Sequence, residues 1–177
     1  MRRTDKEITN RREIDTTLSK ATVCRIGFID RDIPYIVPLY FGYKNNCLYF
    51  HSAPIGKKIE LITKNNMVCF EIDTDHEIID TKVPCNWSSK YTSVIGYGKA
   101  RFITDLAQKK DALNCIIDHY APGASYTFPE KNLKEVTVIK IEVSHVTGKN
   151  QGKNPVNIIV LSIEAWLLDF FSCILQT

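Results

Sequence analysis

The sequence lacks the short motifs that identify several common enzyme classes. It has neither the Gly-x-Ser-x-Gly elbow of many hydrolases nor the Gly-x-Gly-x-x-Gly fingerprint of dinucleotide-binding folds. Its four histidines are scattered and show no metal-ligand spacing, so we predict no metal site. These absences argue against a serine hydrolase, a Rossmann-type dehydrogenase and a zinc enzyme.

The sequence also has little net charge and no apolar segment near its beginning. The formal net charge is +3, from 23 basic and 20 acidic residues, and no long basic stripe occurs. We therefore expect no nucleic-acid partner. The first residues, Met-Arg-Arg-Thr-Asp-Lys-Glu, contain no apolar stretch of the kind found in a signal peptide, so we expect none.

None of the six cysteines are paired at Cys-x-x-Cys spacing, so the chain offers no zinc-type motif. Cys24, Cys47, Cys69 and Cys115 lie inside apolar runs, where a free thiol acts as a small buried hydrophobe. We expect free thiols rather than disulfides, and hence a reducing, cytoplasmic location.

The length and composition favour one domain followed by a tail. A hydrophobic fraction of 44% in 177 residues is enough for one core. We expect a domain over residues 1–149 and, over 150–177, a linker and an apolar, helical tail. Glu164 and Asp169 would lie in the middle of a membrane span, where charged side chains are costly. We therefore expect this helix to dock on the body or on a partner, and we expect no membrane contact.

Period-two alternation and apolar runs predict mainly strands, at residues 21–29, 33–43, 47–51, 67–73, 77–83, 91–103 and 135–146. Helical patterns occupy residues 4–19, 55–64 and 104–120, and residues 121–132 are expected to form a loop. Few βαβ units are present, which favours a mainly β (α+β) fold: a Greek-key antiparallel barrel of six to seven strands with two to four peripheral helices. Gly96 and Gly98 inside a strand indicate a bend or bulge.

The most informative segment is residues 51–58, which follow a strand and open a helix. Ser52 is the expected helix N-cap. A helix start with free N–H groups favours an anion, whereas Lys57 and Lys58 in the first turn oppose the helix dipole. A bound phosphate would compensate these two charges. The alternative is an ordinary helix start with solvated lysines.

Two further segments have aromatic content suited to a flat ligand. Residues 34–43 contain Pro34, Pro38 and three tyrosines, and residues 85–98 contain Trp87, two tyrosines and small hydroxyl side chains. Such groups can stack on a ring and donate hydrogen bonds to its polar edge. Judged alone, each segment is better explained by a structural role: residues 34–43 as a barrel strand with core aromatics, and residues 85–98 as a turn followed by a strand.

Taken together, these segments resemble the pyridoxamine-5′-phosphate-oxidase-like, FMN-binding split-barrel superfamily, and within it the 5-nitroimidazole-resistance proteins. The resemblance covers about residues 1–150. The matching motifs occur in order at residues 34–39, 48–53, 56–58, 69–71, 91–98 and 147–149.

The resemblance implies a split-barrel homodimer with FMN at the subunit interface. The strand segment Val37, Pro38, Leu39 and Tyr40 would face the flavin ring. The phosphate and the adjoining cofactor edge would be held by His51, Ser52, Ala53, Lys57 and Lys58. Trp87, Tyr91 and Ser93 would close the site from the partner chain.

In the nitroimidazole-resistance group, the histidine at the position of His51 is linked to activity, and the group's proposed reaction reduces a nitro group to an amine. We therefore expect an FMN-dependent oxidoreductase acting on a small-molecule substrate, with NAD(P)H or another reduced carrier as donor. Two alternatives remain: a module that holds flavin or haem without turnover, and a structural homodimer with an empty barrel.

Overall fold

A computed structural model describes residues 2–124 and 126–152. The described residues form eight strands: β1 (Glu7–Ile8), β2 (Cys24–Asp30), β3 (Ile33–Leu39), β4 (Gly42–Lys44), β5 (Cys47–Ser52), β6 (Met67–Ile79), β7 (Ser88–Ile103) and β8 (Thr137–Asn150). They also form four α-helices: α1 (Arg11–Lys20), α2 (Lys57–Lys64), α3 (Leu106–Tyr120) and α4 (Glu130–Glu135). The expected tail helix lies outside these residues.

All strand pairs are antiparallel, and the strands follow one another in the sheet in the order β3-β2-β6-β7-β8-β5-β4, with β1 beside β8. Strands β3 and β4 lie at opposite edges of this sheet, yet only Tyr40 and Phe41 separate them in the chain. A link that short brings the two edges within about 11 Å, so the sheet must curl on itself. Phe41 is fully buried at this point.

The α+β split-barrel class expected from the sequence is confirmed. Alternate residues of the strands point into the barrel, where Ile26, Phe50, Phe70, Ile72 and Val94 lie fully or almost fully buried. This alternation is the physical basis of the strand prediction, because one face of each strand packs on the core. The main path has seven strands, within the expected six to seven, and the two-residue β1 adds an eighth. The predicted strand 33–43 was wrong in extent, because it divides into β3 and β4 at Tyr40 and Phe41.

The bulge predicted from the glycines of β7 is present: the pairing with β8 shifts register between Tyr97 and Gly98. The two strands predicted at 67–73 and 77–83 form one long strand, β6. Its register with β7 shifts between Thr74 and Glu77. The segment beyond residue 74 projects as a hairpin arm, which we define as residues 74–92.

Two expectations about individual elements were wrong. Helix α2 begins at Lys57 with Gly56 as N-cap, whereas Ser52 still belongs to β5, because its backbone pairs with Thr137 of β8. Residues 130–132, at the end of the expected loop, belong to α4. Lys109 of α3 is buried, and backbone carbonyls of Leu133 and Val136 accept hydrogen bonds from its ammonium.

The five cysteines within the described residues are free thiols. Cys24 and Cys47 are buried as expected, and burial raises the pKa of the Cys24 thiol far above its ordinary value. Cys69 is exposed, because it lies on the outward side of β6. Among the described residues, no helix has the length and apolar character needed to cross a bilayer.

Candidate functional site

The side chains at the end of β5 alternate between the two faces of the sheet. Leu48 and Phe50 point into the core and are fully buried, while His51, between Phe50 and Ser52, is exposed on the other face. The backbone of His51 is held opposite Val138 in the sheet, which fixes the direction of its imidazole. Strand alternation therefore presents His51 away from the core and keeps Ser52 largely buried.

The turn from β5 into α2 depends on Gly56. Its φ of +135° lies in a region that side chains with a Cβ rarely adopt, although a Cβ would meet no atom within 4 Å. No side chain of the described residues caps the start of α2, whereas Asn10 caps α1 and Asp105 caps α3. The first N–H groups of α2 are thus left to solvent or to an anion.

The two lysines that begin α2 differ in their surroundings. The Lys57 ammonium forms an ion pair with the Asp30 carboxylate at 2.5 Å, from the end of β2. Lys58 is half-buried and forms no ion pair within the described residues; desolvation lowers its pKa from the ordinary 10.5. The expectation that both lysine charges require a bound anion was therefore wrong for Lys57, because Asp30 neutralises it.

A cavity of about 520 Å³ opens beside His51 on the outward face of β5. Its floor is the chain from His51 to Pro54, its wall is helix α3, and its roof is α4 with the residues that follow it. The lining residues are His51, Ser52, Ala53, Pro54, Leu113, Ile116, Ile117, Phe128, Asn132, Leu133, Glu135 and Val136. Neither Lys57 nor Lys58 is among them.

The roof of this cavity is attached to α3 by a buried lysine. Lys109 donates hydrogen bonds to the carbonyl oxygens of Leu133, at 2.9 Å, and of Val136, at 2.7 Å. A buried ammonium is tolerated only with such partners, and these two carbonyls lie at the end of α4. The other end of α3 is anchored by Tyr120, which donates to the carbonyl of Thr22.

The four positions expected to face a flavin ring do not lie on one side of strand β3. Val37 and Leu39 are half-buried and pack against the core, so their side chains point inward. Pro38 is exposed on the outer face. Tyr40 lies just beyond the strand and contacts Tyr120 of α3 edge-to-face, with ring centroids 5.4 Å apart. Of these four positions, Pro38 and Tyr40 have exposed side chains, so these two and the backbone are available to a ring.

The three aromatic and hydroxyl positions near β7 lie in or beside the hairpin arm and do not line the cavity. The Trp87 indole donates to the carbonyl of Thr81 at 3.0 Å, yet its side chain stays exposed. Lys149 donates to the Tyr91 hydroxyl at 2.6 Å and lies over its ring. Ser93 pairs with Lys149 in the sheet. Within one chain, these residues are separate from the cavity at His51.

The outward face of the barrel carries an apolar row. Ile36, Gly27, Cys69, Tyr97 and His145 lie side by side across five neighbouring strands. Ile36 is 64% exposed and Tyr97 is 48% exposed. Ile29, Met67 and Ile95 on the same face are also exposed. We call this surface the outer apolar face; patches of this kind mark interaction sites.

Sequence reasoning missed Asp30 and the cavity wall. Asp30 lies 27 positions before Lys57, and no local pattern links the two residues. Leu113 and Ile117 lie in the helix predicted over residues 104–120, and the sequence cannot distinguish a cavity wall from ordinary core packing on the apolar side of a helix. Among the described residues, no group of three or more His, Cys, Asp or Glu side chains is arranged to hold a metal ion.

Comparison with known proteins agrees with this architecture. Residues 10–150 match the family model described as pyridoxamine 5′-phosphate oxidase. A candidate 5-nitroimidazole antibiotic resistance protein from Bacteroides thetaiotaomicron is 34% identical, with a TM-score of 0.74 over 81% of this chain and 86% of that one. No curated protein sequence matches the chain significantly.

More distant structures share the fold alone. The FAD and heme binding protein from Mycobacterium smegmatis is 15% identical, with a TM-score of 0.76 over 89% of this chain and 80% of that one. The flavocytochrome Anf3 from Azotobacter vinelandii is 17% identical, with a TM-score of 0.73 over 85% and 71%. With 141 of its residues, 10–150, matching the family model, this chain belongs to the pyridoxamine 5′-phosphate oxidase family.

Proposed function

We propose that this protein is a homodimeric, FMN-dependent oxidoreductase that reduces nitroimidazole-like or other small electron-accepting compounds. The observation that carries the proposal is the end of β5. Three features follow one another there within eight residues, His51 to Lys58. They are an outward histidine, a cavity beside it, and an uncapped helix start with a half-buried lysine. The likeness to the Bacteroides protein over most of both chains supports the same assignment.

The residues present fit a ribityl phosphate. The free N–H groups at the start of α2 and the dipole of that helix favour an anion. The Lys58 ammonium, without an ion-pair partner in the described part of the chain, supplies a positive charge. Gly56 lets the backbone bend at this point. A group with a phosphate at one end and a flat ring at the other could extend from here toward the exposed Pro38 of β3.

When bound, FMN supplies two-electron transfer from a donor such as NAD(P)H to the substrate. The contribution of this chain is positioning and protonation. His51 is exposed to the cavity and can donate a proton to a substrate oxygen that gains electrons. Complete reduction of a nitro group to an amine takes three successive two-electron steps, consumes six protons and releases two waters.

We further propose that the homodimer forms through the outer apolar face. Burial against a second copy would remove Ile36, Ile95 and Tyr97 from water. The hairpin arm of one copy, with Trp87 and Tyr91, would then reach the site of the other. Five free cysteines among the described residues suit a reducing, cytoplasmic location.

The experiment is a titration of the purified full chain with FMN, followed by visible absorbance and by quenching of FMN fluorescence. We expect saturable binding by one FMN per chain. NADH-driven reduction of 2-methyl-5-nitroimidazole is then compared between wild type and His51→Ala. Loss of a general acid should lower turnover by about 100-fold, with FMN affinity unchanged.

His51→Gln is the matched variant, because it keeps a polar side chain of similar reach but cannot transfer a proton near neutral pH. It should resemble His51→Ala in turnover. Wild-type turnover in both variants would remove His51 from the mechanism, and a chain that binds no FMN would overturn the whole assignment. FMN binding with no reduction of any electron acceptor would instead favour the non-catalytic flavin module.

A further inference from the structure

The cavity between β5, α3 and α4 is bounded by parts of the chain that are held together by specific contacts. Lys109 ties the end of α4 to α3 through the carbonyls of Leu133 and Val136. At the far end of α3, the Tyr120 hydroxyl accepts from the backbone N–H of Phe41 and donates to the carbonyl of Thr22. The wall of the cavity is therefore attached to the roof at one end and to the barrel at the other.

The walls of the cavity are apolar and its polar groups are few. Leu113, Ile116 and Ile117 of α3 form one side, and Leu133 with Val136 forms the side opposite. The cavity continues a small apolar cluster of Ile103, Ala112 and Val138, which anchors α3 on the sheet. A volume of about 520 Å³ lies in the range of small-molecule sites, which are typically apolar with a few placed polar groups.

The charges around the cavity select between ligands. Among the described residues that line it, Glu135 is the one carboxylate, and none is a lysine or an arginine. The nearby ammonium of Lys109 is buried and directs its hydrogen bonds to two backbone carbonyls, and it does not line the cavity. An anionic ligand would be repelled by this exposed carboxylate, whereas a neutral or weakly basic ring would not be.

We propose that this cavity is the substrate site, and that it takes a flat, uncharged or weakly basic aromatic ring with its reducible group toward His51. Ile117 sets the space for the ring and Glu135 excludes anions. The chemistry at His51 rests on the function proposed above, but binding in the cavity is a separate property. Substrate thus approaches His51 from the α3–α4 side, and the phosphate of the cofactor lies on the α2 side.

The test measures equilibrium binding of two probes of matched shape, 4-nitrobenzamide and 4-nitrobenzoate, to the full chain with FMN and without an electron donor. Isothermal titration or ligand-observed NMR gives both affinities. We expect the neutral amide to bind about tenfold tighter than the anion. Glu135→Gln should reduce this preference by strengthening binding of the benzoate and leaving binding of the amide unchanged.

Ile117→Trp fills the cavity and should weaken binding of the amide about tenfold or more, with FMN affinity unchanged. Ala107→Trp is the matched control, because it adds the same ring to an exposed position of α3. Ile117→Ala is a second cavity variant that adds no bulk, and it should also weaken binding of the amide. Thermal melting of each variant shows that the fold is kept.

Equal binding of the amide to wild type, Ile117→Trp and Ile117→Ala would overturn the proposal, as would equal affinity for both probes. Loss of FMN affinity in Ile117→Trp, with the melting temperature kept, would mean that the cavity holds the cofactor. These outcomes are distinct from failure of the proposed function, because probe binding can be measured on the chain as purified even if FMN does not bind.

Discussion

Lys57 of helix α2 and Asp30 of strand β2 form an ion pair with 2.5 Å between Nζ and Oδ2. This pair neutralises one of the two lysines that begin α2. Lys58 has no such partner in the described part of the chain and is partly desolvated. The two adjacent lysines therefore differ in what they can offer an anion, although the sequence presents them as equivalent.

Lys58→Ala should weaken FMN binding more than Lys57→Ala does, because only Lys58 supplies a charge that Asp30 does not neutralise. Asp30→Asn should strengthen binding, since it frees the Lys57 ammonium and removes a carboxylate close to the phosphate. Lys64→Ala, in the last turn of the same helix, is the control. Fluorescence titration with FMN measures all four variants, and equal losses for Lys57→Ala and Lys58→Ala would contradict this assignment.

FMN binding should also weaken at alkaline pH as Lys58 loses its proton. Desolvation favours the neutral amine, so the pKa of Lys58 in the free protein lies below the ordinary 10.5. The affinity is full below that pKa and falls as the pH rises through it. A plot of log Kd against pH should show a break below 10.5 in wild type. Lys58→Arg should lack that break, because a guanidinium stays charged.

The rate at which the Cys69 thiol reacts should show whether the outer apolar face is covered by a second copy. It is exposed in a single chain and lies between Gly27 and Tyr97 in the sheet. If two copies pair through this face, a thiol reagent should label Cys69 slowly in wild type. Tyr97→Glu places a charge at the centre of the face and should give monomers in which Cys69 reacts rapidly. Rapid labelling of Cys69 in a chain that sediments as a dimer would place the interface elsewhere.

Lys109 should hold the roof of the cavity. Lys109→Met keeps most of the buried length but leaves the carbonyls of Leu133 and Val136 without their charged donor. We expect unfolding to become easier by about 2 kcal/mol, with faster hydrogen exchange over residues 130–136. Lys110→Met is the control at the exposed neighbouring position and should change stability by no more than about 0.5 kcal/mol. Equal effects in denaturant melts would show that the two hydrogen bonds contribute nothing.

Gly56→Ala should strain the turn into α2. A φ of +135° is costly for any residue with a Cβ, by about 1–3 kcal/mol, even though the added atom has room. The turn should relax, displacing the first N–H groups of α2 and weakening FMN binding. Gly152→Ala is the control, because its Cβ would meet neighbours only at ordinary contact distance, 3.4 Å or more. Unchanged FMN affinity in Gly56→Ala would exclude these N–H groups as ligands.

The elements that could be predicted are those whose signal is local. Alternation in β5, with Leu48 and Phe50 buried and His51 exposed, follows from the pleat of a strand and is visible in the sequence. The bulge at Gly98 was indicated by glycines inside a strand. Helix α4 was not predicted, because its six residues are too few for a clear helical period and follow a loop rich in Pro and Gly.

The sequence by itself determined the alternating strands, the order of the motifs from β3 to α2 and the presence of two lysines after a flexible glycine, since each depends on residues close together in the chain. Only the tertiary structure decided that Asp30 neutralises Lys57, that Lys109 is buried beneath α4, and that α3 and α4 enclose a cavity at His51. The physical reason is that ion pairing, desolvation and enclosure depend on distances in space. Those distances arise when the sheet curls and brings remote segments together.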